Sequence, residues 1–415
     1  MSWNFADAGL HGCIYGAEYG IEKESLRVTP GGNLSHTRHP FSKAYIDRDF
    51  CENQVEIISS VHNDIDSLFS ELKEIQSEVN KTLAGINELS WPFSNPPVVL
   101  SNDDIPIAHF EGAQKEREDY RVYLAKKYGK AKMLFSGIHF NFSFSNELLL
   151  AAFEQSGGGD FKTFKDNAYM ELSRKLLDYI WLIVYLTAAS PLMDKSFLKL
   201  SGFLESDSFR YASVRCSEAG YWNDFLPILD FSDVNSYVRS IEKYIKSGQL
   251  YAASELYYPL RLKPRGKNST ESLVENGINH IELRCLDVNP LSELGLFEED
   301  VRFIHLLLLF LMSRGDVDAD ENYQRTAIEN IKTAALYNDT ENRIYFDGEA
   351  LPLREAAKKA VEKIESFARL CAPVFLPSVE YQKEKLRGKR YAETVRERFA
   401  DYIPDVLALA EKYRG

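Results

Sequence analysis

Residues 19–28 read YGIEKESLRV. The alternation of apolar and charged residues predicts a β-strand, because successive side chains of an extended chain leave on opposite faces. Glu22, Glu24 and Leu26 then form one row, and Ile21, Lys23 and Ser25 the other. Two neighbouring carboxylates repel and raise each other's pKa unless a cation or proton lies between them. The run is therefore either a solvated edge strand with scattered charges or one wall of a cation site.

Three other stretches bear on that choice. DFCENQVE places Asp49 and Glu56 seven positions apart. That odd spacing splits them between the faces of a regular strand, so a bulge or bend must intervene if they are to converge. IHFNFSFS puts His139 and Asn141 on one face, with Phe140 and Phe142 on the other. HIELRCLD puts Glu282 and Arg284 together, against Ile281, Leu283 and Cys285. Taken singly, His139 reads as a satisfied core histidine, Glu282–Arg284 as a structural ion pair and Asp49 as a local cap. Taken together, five carboxylates and one imidazole are costly to bury without a cation. Such an oxygen-rich set suits Mg²⁺ or Mn²⁺, in more than one copy, rather than zinc or copper. Magnesium commonly acts with substrate phosphates, so a nucleotide is the expected companion. Arg121, in EDYRVYL, and the basic run RLKPRGK, which includes Arg261 and Lys263, supply cations for phosphates, although the second also reads as a solvated loop. No GxxxxGK[ST] element occurs, which excludes a P-loop.

The rest of the chain frames these segments. TPGGN (Thr29–Asn33) is a turn, and AYIDRDFCENQVEIISS continues the strand-rich start. Apolar residues at helical spacing from Ile65 to Ile86 predict a helix from about Asp64 to Ile86. Glu116–Gly129 reads as a short helix ended by glycine, and Met133–Ser145 as a strand. The run LLDYIWLIVYLTAA (Leu176–Ala189) is too short to cross a bilayer and contains Asp178, so it reads as one buried helix. Val234–Ile245 and Val301–Met312 are further helices, and His280–Asn289 a strand. The chain then turns helical and charged. The expectation is one α+β domain over 1–415, with a strand-rich core at about 16–300 and an all-helical part at about 300–415 packed outside it.

The net charge of −13 argues against nucleic acid as a partner. Five scattered cysteines with no CxxC pair suggest neither a disulfide framework nor a thiolate zinc site. The first residues, MSWNFADAGLHGC, lack the basic start and apolar core of a signal peptide. A reducing cytoplasm and no membrane association are expected; the oligomeric state stays open.

GIEKESLRV, DFCENQVEI, GIHFNFS, ELYYPLRLKP and GINHIELRCLDVNP resemble, in that order, the motifs of bacterial glutamate–cysteine ligase. That family belongs to the superfamily of glutamine synthetase-like carboxylate–amine ligases. The resemblance covers about residues 16–300. It implies a curved, mostly antiparallel sheet forming a funnel, wrapped by helices. It implies that ATP phosphorylates the γ-carboxylate of L-glutamate and that the amine of L-cysteine then attacks, giving γ-glutamylcysteine, ADP and phosphate, the first step of glutathione synthesis.

The resemblance assigns two to three Mg²⁺ (or Mn²⁺) ions to Glu22, Glu24, Asp49, Glu56, His139 and Glu282. It assigns phosphate contacts to Arg121 and Arg284, with Arg261 and Lys263 on the nucleotide side, and glutamate to Arg215, with Asn141 lining the same site. The cysteine pocket falls on Phe50, Tyr120, Tyr221 and Tyr257. One position departs: where related enzymes carry glutamine, six residues before the histidine, this chain has Met133. Two other readings stand beside this one: a γ-glutamyl ligase with a different amine acceptor, and a non-catalytic relative that binds nucleotide or amino acid.

Overall fold

The opening run lies within one 12-residue strand, β1 (Ala17–Val28), inside a seven-stranded sheet. A computed structural model describes residues 2–414. The other strands are β2 (Ile46–Arg48), β3 (Gln54–Ile58), β4 (Leu89–Trp91), β5 (Gly137–Phe144), β6 (Leu260–Pro264) and β7 (Ile278–Asp287). They run β2-β3-β1-β5-β7-β6, with β4 also on β1, and every pairing is antiparallel. The result is a mixed α/β protein built on an open antiparallel sheet with many helices.

Strand alternation sorts the sheet into two faces, as the sequence predicts. Ile21, Val55, Ile57, Ile138, Phe140, Phe142, Ile281 and Leu283 are all buried in the main core. The helix Glu298–Ser313 packs on that side, where His305 Nδ1 lies 2.9 Å from the Tyr19 hydroxyl and its ring lies 5.2 Å from that of Phe142. Burying Phe140 and Phe142 alone contributes roughly 3–6 kcal/mol. The opposite face carries the acidic and basic side chains.

Several elements differ from the sequence reading, each for a local reason. DFCENQVE is not one bent strand. The chain reverses within it, with the Asp49 N–H donating to the Gln54 carbonyl (3.2 Å), so Asp49 sits in the turn of a β2–β3 hairpin and Glu56 on the return strand. The run Leu176–Ala189 is two helices, Phe161–Leu177 and Ile180–Thr187, divided at Asp178–Tyr179. Tyr179, at φ −123°, leaves helical geometry at the division. The strand expected from Met133 starts only at Gly137, because Ala131–Leu134 forms a 3-10 turn. The C-terminal part is not all helical. Arg343–Phe346 pairs with Glu349–Pro352 around Asp347 and Gly348, both at positive φ, as a two-residue hairpin loop requires.

Candidate active site

Strand register sets the site. On β1 and β5, Glu22 stands opposite His139; on β1 and β3, Glu24 stands opposite Glu56; on β5 and β7, Asn141 stands opposite Glu282; and Glu282 in turn faces Arg261 on β6. Cross-strand partners share a face, so these pairs form a polar band across five strands. A bulge on β7 re-aims it locally. Between the pairs Ile138–Leu286 and Phe140–Leu283, β7 takes three steps to the two of β5, opposite His139.

The acids converge on the imidazole. His139 Nδ1 is 3.1 Å from Glu22 Oε2 and 3.7 Å from Glu282 Oε1, and its Nε2 is 3.8 Å from Glu24 Oε1. Asn141 Nδ2 donates to Glu22 Oε1 at 3.2 Å. Two donor groups result, Glu22–His139–Glu282 and Glu24–Glu56–His139, each with one atom per residue within 4.8 Å of the others. Asp49 lines the same cavity but, among the described residues, belongs to neither group.

Electrostatics divides the carboxylates. Burial, then the charge of Asp49, pushes Glu24 up to about 8. Burial and the neighbouring Asp49, Glu22 and Glu24 carry Glu56 well above the usual carboxylate range. Burial opposes the charge on Glu282 as well, but Arg284, Lys263 and His139 hold it well below that range. Burial, then Arg284, lowers His139 to about 4, so the ring is neutral near pH 7. Nδ1 faces both Glu22 Oε2 at 3.1 Å and Arg284 Nη1 at 3.4 Å; the shorter bond, to an ionised Glu22, takes the proton on Nδ1 and leaves a lone pair on Nε2.

Among the described residues, that lone pair has no hydrogen-bond partner. His139 Nε2, Asn141 Oδ1 and Glu282 Oε2 are buried without a hydrogen bond; Lys263 Nζ is 3.2 Å from Glu282 Oε2 but is not aligned as a donor. Orphaned buried acceptors beside carboxylates that repel one another are what a divalent cation would relieve. The donors, hard oxygens plus one imidazole, fit Mg²⁺ or Mn²⁺.

The cations are held as firmly as the acids. Arg284 Nη1 bonds Glu282 Oε1 at 2.9 Å. Arg121 donates through Nε to the Asp49 carbonyl and through Nη1 to the Arg117 carbonyl (2.8 Å), while its guanidinium lies 4.8 Å above the Phe110 ring. Arg215 Nη1 donates to the Arg284 carbonyl at 2.6 Å, and its guanidinium lies across Gly137, where a Cβ would overlap it. Gly137 also gives its N–H to Glu24 Oε2 at 2.8 Å.

These residues enclose a cavity of about 210 Å³. Glu22, Glu24, Asp49, Phe50, Glu56, Tyr120, Arg121, His139, Arg215, Tyr221, Tyr257, Arg261, Lys263, Glu282 and Arg284 all line it, as does Met133. Asn141 reaches it through Glu22. The rings of Tyr221 and Tyr257 meet at 4.1 Å between centroids and form one wall.

A family model for glutamate–cysteine ligase matches residues 4–252 and 246–334. The chain belongs to the glutamate–cysteine ligase family. It is 35% identical over 398 residues to the glutathione biosynthesis bifunctional protein GshAB of Listeria monocytogenes serovar 1/2a, covering 92% of this chain and 52% of that protein. The GshAB of Enterococcus faecalis is 36% identical over 331 residues, 78% of this chain and 42% of the relative. The chain thus spans about half the length of the curated relatives it matches. Among solved structures, glutamate–cysteine ligase of Francisella tularensis superposes with a TM-score of 0.86 at 22% identity, covering 96% of this chain and 88% of that one, which shows the fold. A bifunctional glutathione synthetase of Pasteurella multocida gives 0.84 at 28% identity, over 98% of this chain and 53% of that one.

For this member of the glutamate–cysteine ligase family, the sequence reading named most of the cavity wall. It missed Leu124, Phe135 and Ser254, which line the cavity, and Phe110 and Gly137, which support it. GIHFNFS contained a signal for Gly137, a glycine opening a strand, which often marks close approach of another group. No local pattern marks Phe110.

Proposed function

We propose that this chain ligates the γ-carboxylate of L-glutamate to the amine of L-cysteine, with cleavage of ATP to ADP and phosphate, through a γ-glutamyl phosphate. The observation that carries the reading is the meeting of two carboxylate groups at His139 inside a cavity rimmed by Arg121, Arg215, Lys263 and Arg284. Family membership supports it.

Glu22, Glu24, Asp49, Glu56, His139 and Glu282 would hold two to three Mg²⁺ or Mn²⁺ ions. Bound there, divalent ions would neutralise the repulsion between triphosphate and glutamate and polarise the transferring phosphoryl group. Arg121 and Arg284 stabilise negative charge on that group, each contributing on the order of 3 kcal/mol to the barrier reduction. Arg261 and Lys263 face the nucleotide side. Arg215 holds the glutamate carboxylate, and Asn141 orients Glu22 through its amide N–H. A thioether at Met133 offers glutamate no amide hydrogen bond, which leaves Arg215 the larger share of its recognition. In the second step the amine nitrogen bonds to the acyl carbon and phosphate leaves. Phe50, Tyr120, Tyr221 and Tyr257 present an apolar wall edged with hydroxyls, suited to a small amino acid with a thiol.

The test is phosphate release with L-glutamate, ATP and Mg²⁺ across a panel of amines, with the product identified by mass. Cysteine and 2-aminobutyrate are expected to support release. Failure of both while another amine works overturns the acceptor assignment. No release with any amine, while nucleotide still binds, replaces catalysis by a binding role.

A further inference from the structure

Glu255 is fully buried, with none of its surface exposed, one residue beyond Ser254 on the cavity wall. A carboxylate in such a place is costly unless its oxygens are satisfied. Here they are. Oε1 accepts from Lys127 Nζ (2.7 Å) and from the Tyr128 hydroxyl (2.6 Å), and Oε2 accepts from the Tyr251 N–H (2.5 Å). The Glu255 carbonyl accepts from Asn223 Nδ2 at 2.8 Å.

The partners come from three separate segments, and each segment carries one tyrosine of the same wall. Lys127 and Tyr128 end the helix Lys115–Tyr128, which bears Tyr120. Asn223 follows Tyr221 by two positions, and its Oδ1 accepts from the Tyr257 N–H at 2.9 Å. Tyr251, gripped through its backbone, stacks its ring 5.6 Å from that of Tyr120, and the Tyr128 ring lies 5.4 Å from that of Tyr257. An apolar cluster would tie the segments together without fixing their spacing to a few tenths of an ångström. Directed hydrogen bonds to one buried acid do fix it.

We propose that Glu255 is a positioning residue that sets the width of the amine-acceptor side of the cavity by fixing Tyr120, Tyr221 and Tyr257 relative to one another. This rests on reading that wall as the amine subsite. The acid touches no substrate and acts through the three rings. The carboxylate groups around His139 are held by sheet register instead, and Arg261 hangs on the backbone carbonyls of Ser254 (2.7 Å) and Leu256 (2.8 Å) rather than on the Glu255 side chain, so loss of that carboxylate acts first on the acceptor.

The experiment compares wild type, Glu255→Gln and Tyr128→Phe in phosphate release, varying amine, glutamate and ATP in turn. Tyr128→Phe removes one hydroxyl and keeps the ring, so it carries the test if Glu255→Gln does not fold. The expected result is a KM for the amine raised on the order of tenfold, the loss of one or two charge-assisted hydrogen bonds. The KM values for ATP and glutamate stay put, and preference for cysteine over bulkier amines relaxes. Equal rises in all three KM values, an unchanged KM for the amine, or a fall in kcat that only tracks the folded fraction each overturns it. Wild-type protein without amine-dependent release in the same assay overturns the proposed function, and this inference with it, and is told apart by that control.

Discussion

Glu22 and His139 face each other across β1 and β5, with Oε2 of one 3.1 Å from Nδ1 of the other, while Nε2 on the far side of the same ring points toward Glu24 without a hydrogen bond. One imidazole therefore joins two sets of carboxylates that otherwise repel. A cation that relieves the repulsion binds the folded state and not the unfolded one, and so stabilises it. At a hundredfold excess over its Kd the gain is about 2.7 kcal/mol. The melting temperature is expected to rise with Mg²⁺ and fall back with chelator, and phosphate release to vanish with chelator. His139→Gln is expected to lose both responses. A melting temperature indifferent to Mg²⁺ in the wild type removes the cation site.

Glu282 is 1% exposed and pairs with both Arg284 and Lys263 while completing one donor group. Glu282→Gln keeps its size and removes its charge. Turnover is expected to fall on the order of a hundredfold or more, as for loss of one preorganised contact to developing charge. Steady-state phosphate release, with circular dichroism to confirm folding, checks it; a folded variant within about threefold of wild type takes Glu282 out of the proposed chemistry.

Arg121 and lysine are not interchangeable. The guanidinium lies 4.8 Å from the centre of the Phe110 ring and reaches the carbonyls of Asp49 and Arg117 at once. An ammonium cannot make that fork. Arg121→Lys is expected to lose on the order of a hundredfold in kcat/KM despite its retained charge. Activity near wild type in Arg121→Lys means that charge alone suffices there.

Gly137 makes a more local prediction. Its missing Cβ lets the Arg215 guanidinium lie across the start of β5, while its N–H holds Glu24. Gly137→Ala is expected to displace Arg215 and raise the KM for glutamate at least about tenfold, with the sheet intact. An unchanged KM for glutamate places the recognition of that substrate elsewhere.

These residues also show what a sequence can carry. β1, β5 and β7 are legible because one face is apolar and the other is not, so alternation alone puts Glu22, His139 and Glu282 on the polar side of their strands. The spacing of Asp49 and Glu56 announces a change of direction but not a hairpin, since turn geometry depends on the Cys51–Gln54 hydrogen bond. The β7 bulge, the Phe110 support under Arg121 and the Glu255 links arise from contacts between distant segments and leave no periodicity to read. The Asp347–Gly348 turn is legible in FDGE, yet the helical charge pattern around it dominates.

Asp178 supplies a pH prediction away from the cavity. It caps the helix Phe161–Leu177, beside the break in the apolar run, and burial pushes its carboxyl up to about 7. Its unfolded value is about 3.9. For an acid shifted upward, the folded state binds the proton more tightly than the unfolded state does. The proton is then kept on folding at low pH, and stability declines as pH rises between the two values, levelling off above about 7. Asp178→Asn has no charge to bury. It is expected to match wild type near pH 4, to exceed it increasingly toward pH 7, and to hold a constant advantage at about pH 8. Melting temperatures of both proteins across that range decide it. Parallel curves, with no divergence between about pH 4 and 7, mean that water or Arg314 keeps this carboxylate ionised in the folded protein.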